Sequence, residues 1–211
     1  AILATGHEVV AGEVLNTNTQ KIAYDLSSQG LEITTHMACR DVHDEMLFAL
    51  HALAKHEVII TIGGLGPTVD DLTRFAVAKY SKLELHRHAE ALAHIQQRIS
   101  NVRDNQYLET LFPQKAQLIP NAFGTALGAF IHHANQLIIM LPGPPRECLP
   151  MWDNHVLPYL SQTYAHQTPW QRWLLFGVAE AGIALEIETA EIRARRSRSR
   201  QDRVRLHLER L

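Results

Sequence analysis

VIITIGGLGPTVDDLTR, residues 58–74, is the stretch that decides how the rest of this chain folds. Its first five residues are all β-branched, which is typical of a strand covered on both faces in a parallel sheet. Three glycines follow within four positions, and they allow tight curvature and close approach of a ligand to the backbone. Asp70 or Asp71 is predicted to cap the helix that begins next. The stretch therefore indicates a buried strand, a glycine-rich loop and the first turn of a helix.

A strand, glycine loop and helix in this order direct free N–H groups and a positive dipole end towards one position, which favours an anion such as phosphate. Two carboxylates beside that position would repel a bare phosphate, but they suit one that is accompanied by a divalent cation. The same residues also fit a helix cap beside an ordinary turn, so both interpretations stay open here. The loop has no Gly-Lys-Ser/Thr ending and no Gly-x-Gly-x-x-Gly spacing, so it is neither of the two common nucleotide fingerprints.

The composition is that of an ordinary globular protein. The chain has 211 residues, of which 46% are hydrophobic and 20% charged, enough for one good core. A net charge of −2 gives no electrostatic case for nucleic acid as a partner. Cys39 and Cys148 lie far apart, which favours a reducing compartment over a disulfide framework. No membrane-spanning run and no signal-peptide pattern is seen, so we expect a cytoplasmic protein without a membrane partner.

Strand and helix patterns alternate around the opening stretch. Before it the sequence predicts a strand at residues 2–4, a helix from residues 16–18 to Gly30, a strand at residues 31–37 and a helix at residues 43–55. This alternation predicts an α/β fold with a mostly parallel sheet between helix layers. Ligands bind such sheets outside the carboxyl ends of the strands, so the loops at residues 5–8, 41 and 63–71 should open on one edge.

The second half of the chain supplies a possible far wall for the same cleft. A strand at residues 117–119, a turn-rich loop at residues 120–128 and a hairpin at residues 129–140 are predicted, followed by a glycine- and proline-rich loop leading into a helix. The pattern breaks near residue 167, which divides the chain into a domain at 1–167 and a small, partial α+β piece or tail at 168–211. A basic run in that tail fits a solvated segment better than RNA binding, because no aromatic residues interleave with it.

These motifs together resemble the amino-terminal domain of the CinA family, the competence-damage-inducible proteins, over residues 1–165. The residues that carry the resemblance are Thr5-Gly6-x-Glu8, Gly12-Glu13, Asn16-Thr17-Asn18, Gly63-Gly64-Leu65-Gly66-Pro67-Thr68-x-Asp70-Asp71-Leu72-Thr73, Pro120-Asn121, Gly124-Thr125-Ala126 and Leu141-Pro142-Gly143-x-Pro145. That domain is similar to the molybdopterin-binding fold of MoaB and MogA, a three-layer α/β/α sandwich. Residues 171–190 resemble the start of the small middle domain of CinA.

The resemblance implies metal-dependent hydrolysis of ADP-ribose to AMP and ribose 5-phosphate. It also implies a divalent cation such as Mg²⁺, allows K⁺ beside it, and suggests a homo-oligomer, a dimer or higher. The amidohydrolase domain of full-length CinA proteins is not expected, because the chain stops before such a domain is complete. The MoaB and MogA similarity allows a different function, a molybdopterin- or nucleotide-binding module without hydrolysis. A third hypothesis is an interaction protein with a vestigial cleft.

A carboxylate-held cation neutralises phosphate oxygens and makes a water nucleophilic, as pyrophosphate hydrolysis requires. On the resemblance, Asp71 and Asp41 are the metal ligands or acid–base residues, Asp70 is an alternative ligand, and Glu8 and Glu13 complete the acidic set, with Glu8 as a catalytic candidate. For each acid taken singly, a capping or surface role is the alternative. The implied substrate-binding residues are Gly63, Gly64, Gly66 and Thr68 on one side, with Asn18, Gly124, Thr125, Pro142 and Gly143 around them.

The chain departs from the family pattern at several positions. Arg40 stands where glycine is usual before the acid at position 41, and His7 where aspartate or threonine is common. Residues 107–110, Tyr-Leu-Glu-Thr, replace a segment with a basic residue followed by Gln-Ala. This last change removes a basic side chain that could clamp phosphate, and it favours the binding module over the hydrolase. Leu127, in place of proline, is interpreted as a local loop change.

Overall fold

The structure is a computed structural model that describes residues 1–164. The predicted C-terminal piece at 168–211, with its basic run, lies outside the described residues. Strands occupy β1 Ile2–Thr5, β2 His36–Cys39, β3 Val58–Ile62, β4 Leu85–Arg87, β5 Leu111–Pro113, β6 Gln117–Ile119, β7 Gly128–His133 and β8 Gln136–Leu141. Helices occupy α1 His7–Val10, α2 Thr17–Ser28, α3 His43–Ala52, α4 Thr73–Ser81, α5 Ala89–Arg98, α6 Pro145–Met151 and α7 Leu157–Tyr164, with a 3₁₀ helix at Asp104–Thr110 and a π-helical segment at Trp152–Val156.

Six strands form one sheet in the order β2-β1-β3-β8-β7-β6. The pairs β2–β1, β1–β3 and β3–β8 are parallel, whereas β8–β7 and β7–β6 are antiparallel. The predicted α/β fold with a mostly parallel sheet is confirmed. β4 and β5 form a separate two-stranded antiparallel sheet.

The sheet separates two apolar cores, because successive side chains of a strand point to opposite faces. In β8 every residue is buried: Ile138 and Met140 belong to the core that contains α3 and α4, and Ile139 and Leu141 to the core that contains α2 and α6. Helices on both faces make the predicted three-layer sandwich. Within residues 1–164 no helix is both long and apolar enough to cross a bilayer.

Two local expectations are wrong. The second strand is four residues long and begins at His36, because the neighbouring β1 offers partners only from Ile2, which pairs with His36. The helix after the glycine loop begins at Thr73 with Leu72 as its N-cap, so neither aspartate caps it. The carboxylate of Asp71 is instead engaged inside the loop by Thr68.

Candidate functional site

A cavity of about 530 Å³ opens where β1, β3 and β8 end. Its walls come from the loops that follow these strands and β2, together with the end of the 3₁₀ helix, the loop before β7 and the start of α6. Six carboxylates line it, whereas its lining contains a single cationic side chain, that of Arg146. The carboxylates are Glu8, Asp41, Asp70, Asp71, Glu109 and Glu147. The convergence predicted for the loops at residues 5–8, 41 and 63–71 is therefore what the fold produces.

The glycine loop offers unpaired backbone donors to this cavity. Gly63 is tied to the sheet, because its N–H donates to the carbonyl of Leu141 at 2.9 Å. Among the described residues, no hydrogen bond uses the N–H groups of Gly64, Leu65 or Gly66. Gly63 and Gly64 have φ values of 108° and 64°, in the region that favours glycine. Consecutive free N–H groups in such a curved backbone form a concave site for an anion.

Arg74 holds the loop from behind. Its side chain is fully buried, and its guanidinium donates to the carbonyls of Leu65 at 2.5 Å and Gly66 at 2.8 Å. The same group lies 5.8 Å from the ring centroid of Phe112. Burial lowers the pKa of Arg74 to about 10, so the guanidinium remains a cation at neutral pH. By occupying the carbonyls, Arg74 fixes the loop in one conformation.

We expect the substitution Arg74→Met to lower the free energy of unfolding by about 2–3 kcal/mol, because the buried carbonyl of Leu65 and the half-buried carbonyl of Gly66 lose their partner while the side-chain volume is roughly kept. Urea unfolding followed by circular dichroism measures the change. Arg98→Met is the matched control, since Arg98 also donates to two backbone carbonyls, those of His94 at 3.4 Å and Asn121 at 2.7 Å, but its side chain is exposed. An equal loss in both variants would contradict the role given to Arg74.

Asp71 and Thr68 close the far end of the loop. The Oδ2 atom of Asp71 accepts hydrogen bonds from the backbone N–H of Thr68 at 2.8 Å and from its hydroxyl at 2.5 Å. Both bonds fall on one carboxylate oxygen, and Asp71 lines the cavity. The interaction with Thr68 also lowers the pKa of Asp70. Asp70 is thus available as an anion beside the glycine loop.

Asp41 also lines the cavity and comes from the loop after β2. Its Oδ2 atom accepts a hydrogen bond from the N–H of His7 at 3.0 Å, and the His7 ring nitrogen Nδ1 is 3.6 Å away. Burial raises the pKa of Asp41 despite these contacts, and the nearby Glu8 carboxylate adds to the shift. A carboxyl group with a raised pKa in a cleft is suited to proton transfer.

The opposite wall is built around Asn121. Its Nδ2 group donates to Glu147 Oε2 and to the carbonyl of Ala126, both at 2.8 Å, and its Oδ1 accepts from the N–H groups of Phe123 and Gly124. These four bonds fix the loop that carries Thr125. The backbone of Gly124 also lies so close to the carboxylate of Glu147 that a β-carbon there would overlap it.

The predicted site residues divide into two groups. The cavity is lined by Glu8, Asp41, Gly63, Gly64, Gly66, Asp70, Asp71, Gly124, Thr125, Pro142 and Gly143. Thr68, Asn18 and Glu13 do not belong to the lining. Thr68 instead donates to Asp71, and Asn18 donates through Nδ2 to the carbonyl of Gly143 at 2.7 Å, which positions the second glycine loop. Both residues therefore support the site rather than form its surface.

Glu109, Phe123, Arg146 and Glu147 also line the cavity, although the sequence did not single them out as site residues. Glu109 lies in the segment 107–110, whose departure from the family pattern was interpreted as the loss of a basic side chain. The fold adds a second consequence, because the substitution places a buried carboxylate in the cavity wall. That departure was the one signal in the sequence that could have pointed to Glu109.

A metal site made of protein ligands alone is absent from residues 1–164, where no group of three or more His, Cys, Asp or Glu side chains could hold an ion. The donor set suits Mg²⁺ in another way, because this ion commonly takes only one or two carboxylates and completes its shell with water and phosphate oxygens. The neighbouring carboxylates of Asp70 and Asp71, which both line the cavity beside the glycine loop, fit that pattern.

The chain matches the family model described as "Probable molybdopterin binding domain" over residues 1–162. Among curated proteins it is similar to a competence-damage inducible protein of Clostridium botulinum, with 34% identity over 188 residues. That alignment covers 87% of this chain and 46% of the relative, so the chain spans about half the length of the curated relative.

Solved structures of similar fold include a CinA protein. CinA from Thermoplasma acidophilum, described as of unknown function, superimposes with a TM-score of 0.69 at 28% identity, covering 72% of this chain and 92% of that one. A molybdopterin biosynthesis protein from Mycobacterium abscessus shares the fold, with a TM-score of 0.50 at 14% identity, covering 76% and 90% of the two chains. The predicted resemblance to CinA is confirmed. The chain belongs to the molybdopterin-binding domain family, and within that family it is CinA-like.

Proposed function

We propose that this chain binds a nucleotide through its pyrophosphate group and, with a divalent cation, hydrolyses ADP-ribose to AMP and ribose 5-phosphate. One observation carries the proposal: Gly64, Leu65 and Gly66, whose N–H groups have no hydrogen-bond partner among the described residues, line a cavity that Asp41, Asp70 and Asp71 also line. Donors for phosphate and acceptors for a cation are what a phosphoanhydride needs. The choice of ADP-ribose comes from the resemblance to the CinA family.

Each part of the cavity has a role in this reaction. The glycine loop donates hydrogen bonds to phosphate oxygens, and Arg74 keeps its carbonyls turned away from the ligand. Asp71 and Asp70 would hold the cation, which supplies charge neutralisation and activates water when it is bound. Asp41, with its raised pKa, is the group suited to take the proton from the attacking water. The homo-oligomer, the K⁺ ion and the cytoplasmic location stay predictions.

The test is AMP release from ADP-ribose by the purified chain, measured with Mg²⁺ and with excess EDTA. We expect EDTA to reduce the rate at least about tenfold, because the phosphate charge then lacks its counter-ion. Readdition of Mg²⁺ should restore the rate, which controls for damage by the chelator. AMP formation that is indifferent to EDTA would contradict the metal-dependent mechanism.

A binding module without hydrolysis is the second candidate, and one observation favours it. Two of the acids assigned to this reaction already accept hydrogen bonds within the protein: Asp71 accepts from Thr68 in its own loop, and Asp41 accepts from His7 after β1. Isothermal titration with ADP-ribose separates the two functions. Saturable binding without AMP release would support the module, whereas AMP release supports the hydrolase.

A further inference from the structure

Glu109 is a carboxylate that the fold has buried without completing its hydrogen bonds. The side chain is only 1% exposed and lies at the end of the 3₁₀ helix. Its Oε1 atom accepts a hydrogen bond from the hydroxyl of Thr125 at 2.9 Å, whereas its Oε2 atom has no hydrogen-bond partner among the described residues. Arg74 is the nearby cation, but the described residues contain no ion pair between the two side chains.

An unpaired buried acceptor works against folding. Burial raises the pKa of Glu109, and the Thr125 hydroxyl and the Arg74 guanidinium offset the shift only in part. A glutamine would keep the shape and the bond to Thr125 without burying a charge. Positions where a chain departs from its most stable choice are commonly functional, because a ligand supplies the missing contact. Glu109 and Thr125 both line the cavity, so a bound ligand is the available source of that contact.

The surroundings of Glu109 define the chemistry of that contact. A carboxylate repels phosphate, so the anionic part of a ligand belongs at the glycine loop and a donor-bearing part belongs at Glu109. Phe123, two residues before Thr125, lines the same cavity with 62% of its surface exposed. An exposed aromatic ring beside a site offers a face for stacking a planar base.

We propose that Glu109 is a specificity-determining residue whose Oε2 atom accepts a hydrogen bond from the nucleoside end of the ligand, while the glycine loop holds its phosphates. This inference rests on nucleotide binding in the proposed function. The donor is an amino group of the base or a ribose hydroxyl, which present the same chemistry to a carboxylate. Thr125 positions Glu109 by fixing its other oxygen.

The experiment measures dissociation constants in the presence of Mg²⁺ for ADP-ribose and for inorganic pyrophosphate, which has phosphates but no nucleoside. We expect Glu109→Gln to weaken ADP-ribose binding about tenfold and to leave pyrophosphate binding within a factor of two, because a charge-assisted hydrogen bond is lost only with the nucleoside. Thr125→Val should weaken ADP-ribose binding in the same selective way. Glu90→Gln, the same change on the exposed face of α5, is the matched control and should change neither constant.

Comparison of ADP with inosine 5′-diphosphate in the wild-type chain tests the amino group of the base, and comparison of ADP with 2′-deoxy-ADP and 3′-deoxy-ADP tests the two ribose hydroxyls. Two results overturn the assignment. In one, the Glu109→Gln variant binds ADP-ribose as tightly as the wild type does; in the other, its affinities for ADP-ribose and for pyrophosphate fall by the same factor. A melting temperature for Glu109→Gln no lower than that of the wild type shows that folding is not the cause of a selective loss. If the wild type binds ADP-ribose without releasing AMP, the hydrolase proposal is overturned but the role of Glu109 in binding is not. If the wild type does not bind ADP-ribose, both proposals are overturned.

Discussion

The substitution Gly63→Ala is expected to lower the free energy of unfolding by about 3–5 kcal/mol. A β-carbon at this position would lie 2.5 Å from the carbonyl oxygen of Thr5 and 2.7 Å from its hydroxyl oxygen. The backbone of Gly63 is held in place because its N–H donates to the carbonyl of Leu141 in β8, and β1 is held by its pairing with β2 and β3. The φ of 108° adds strain for any residue with a side chain.

Gly12→Ala is the matched control for that substitution. Gly12 has a φ of 75°, but a β-carbon there would meet no atom within 4 Å. It therefore carries the backbone strain without the clash, and we expect a loss of only about 1 kcal/mol. Denaturant unfolding of the two variants and the wild type gives both numbers. Equal losses would mean that the fold accommodates a β-carbon at Gly63 and that the loop is less constrained than we infer.

The substitution Asp71→Asn is expected to reduce AMP release by about 100-fold or more, since it removes the charge that would hold the cation and alters the water it activates. The amide oxygen of asparagine can still accept from Thr68, so the loop should keep its conformation. Turnover should fall while the melting temperature changes little. That combination separates a chemical role from a structural one.

Asp44→Asn is the control for that variant. Asp44 lies in the first turn of α3 with a side chain that is 97% exposed, and it does not line the cavity. The same loss of one negative charge should leave AMP release unchanged. Wild-type turnover in Asp71→Asn would exclude Asp71 from the chemistry and transfer the metal role to Asp70 and Asp41.

The sequence predicted the central strands most accurately where the residues themselves determine the structure. β3 begins and ends as predicted, because five β-branched residues end at a glycine with a positive φ. The observed bounds of β2 differ from the predicted ones because they depend on which residues of β1 pair with the strand. Side-chain periodicity does not report that pairing. β4 and β5 were missed because they pair only with each other, and no local pattern in the sequence reports that pairing.

The site could be predicted as far as the topology dictates it. The rule that ligands lie at the carboxyl ends of parallel strands placed Glu8, Asp41 and the glycine loop together. Glu109 follows no strand of the main sheet. It reaches the cavity because the segment behind it packs through Phe112 against Arg74, a contact between residues 38 positions apart that no local pattern encodes. Tertiary geometry likewise decides which of the acids accept hydrogen bonds from neighbouring loops, as Asp41 does from His7.

The excess of six carboxylates over one lining arginine has a thermodynamic consequence. An anionic ligand entering this cavity meets repulsion that accompanying cations relieve, and cations entering alone lack the ligand's oxygens. Under the proposed function, the two binding events are positively coupled. Linkage requires this coupling to be reciprocal: the factor by which the cation increases the affinity for the nucleotide equals the factor by which the nucleotide increases the affinity for the cation. The affinity of this chain for the proposed ligand would then depend on the cations in solution as much as on the protein.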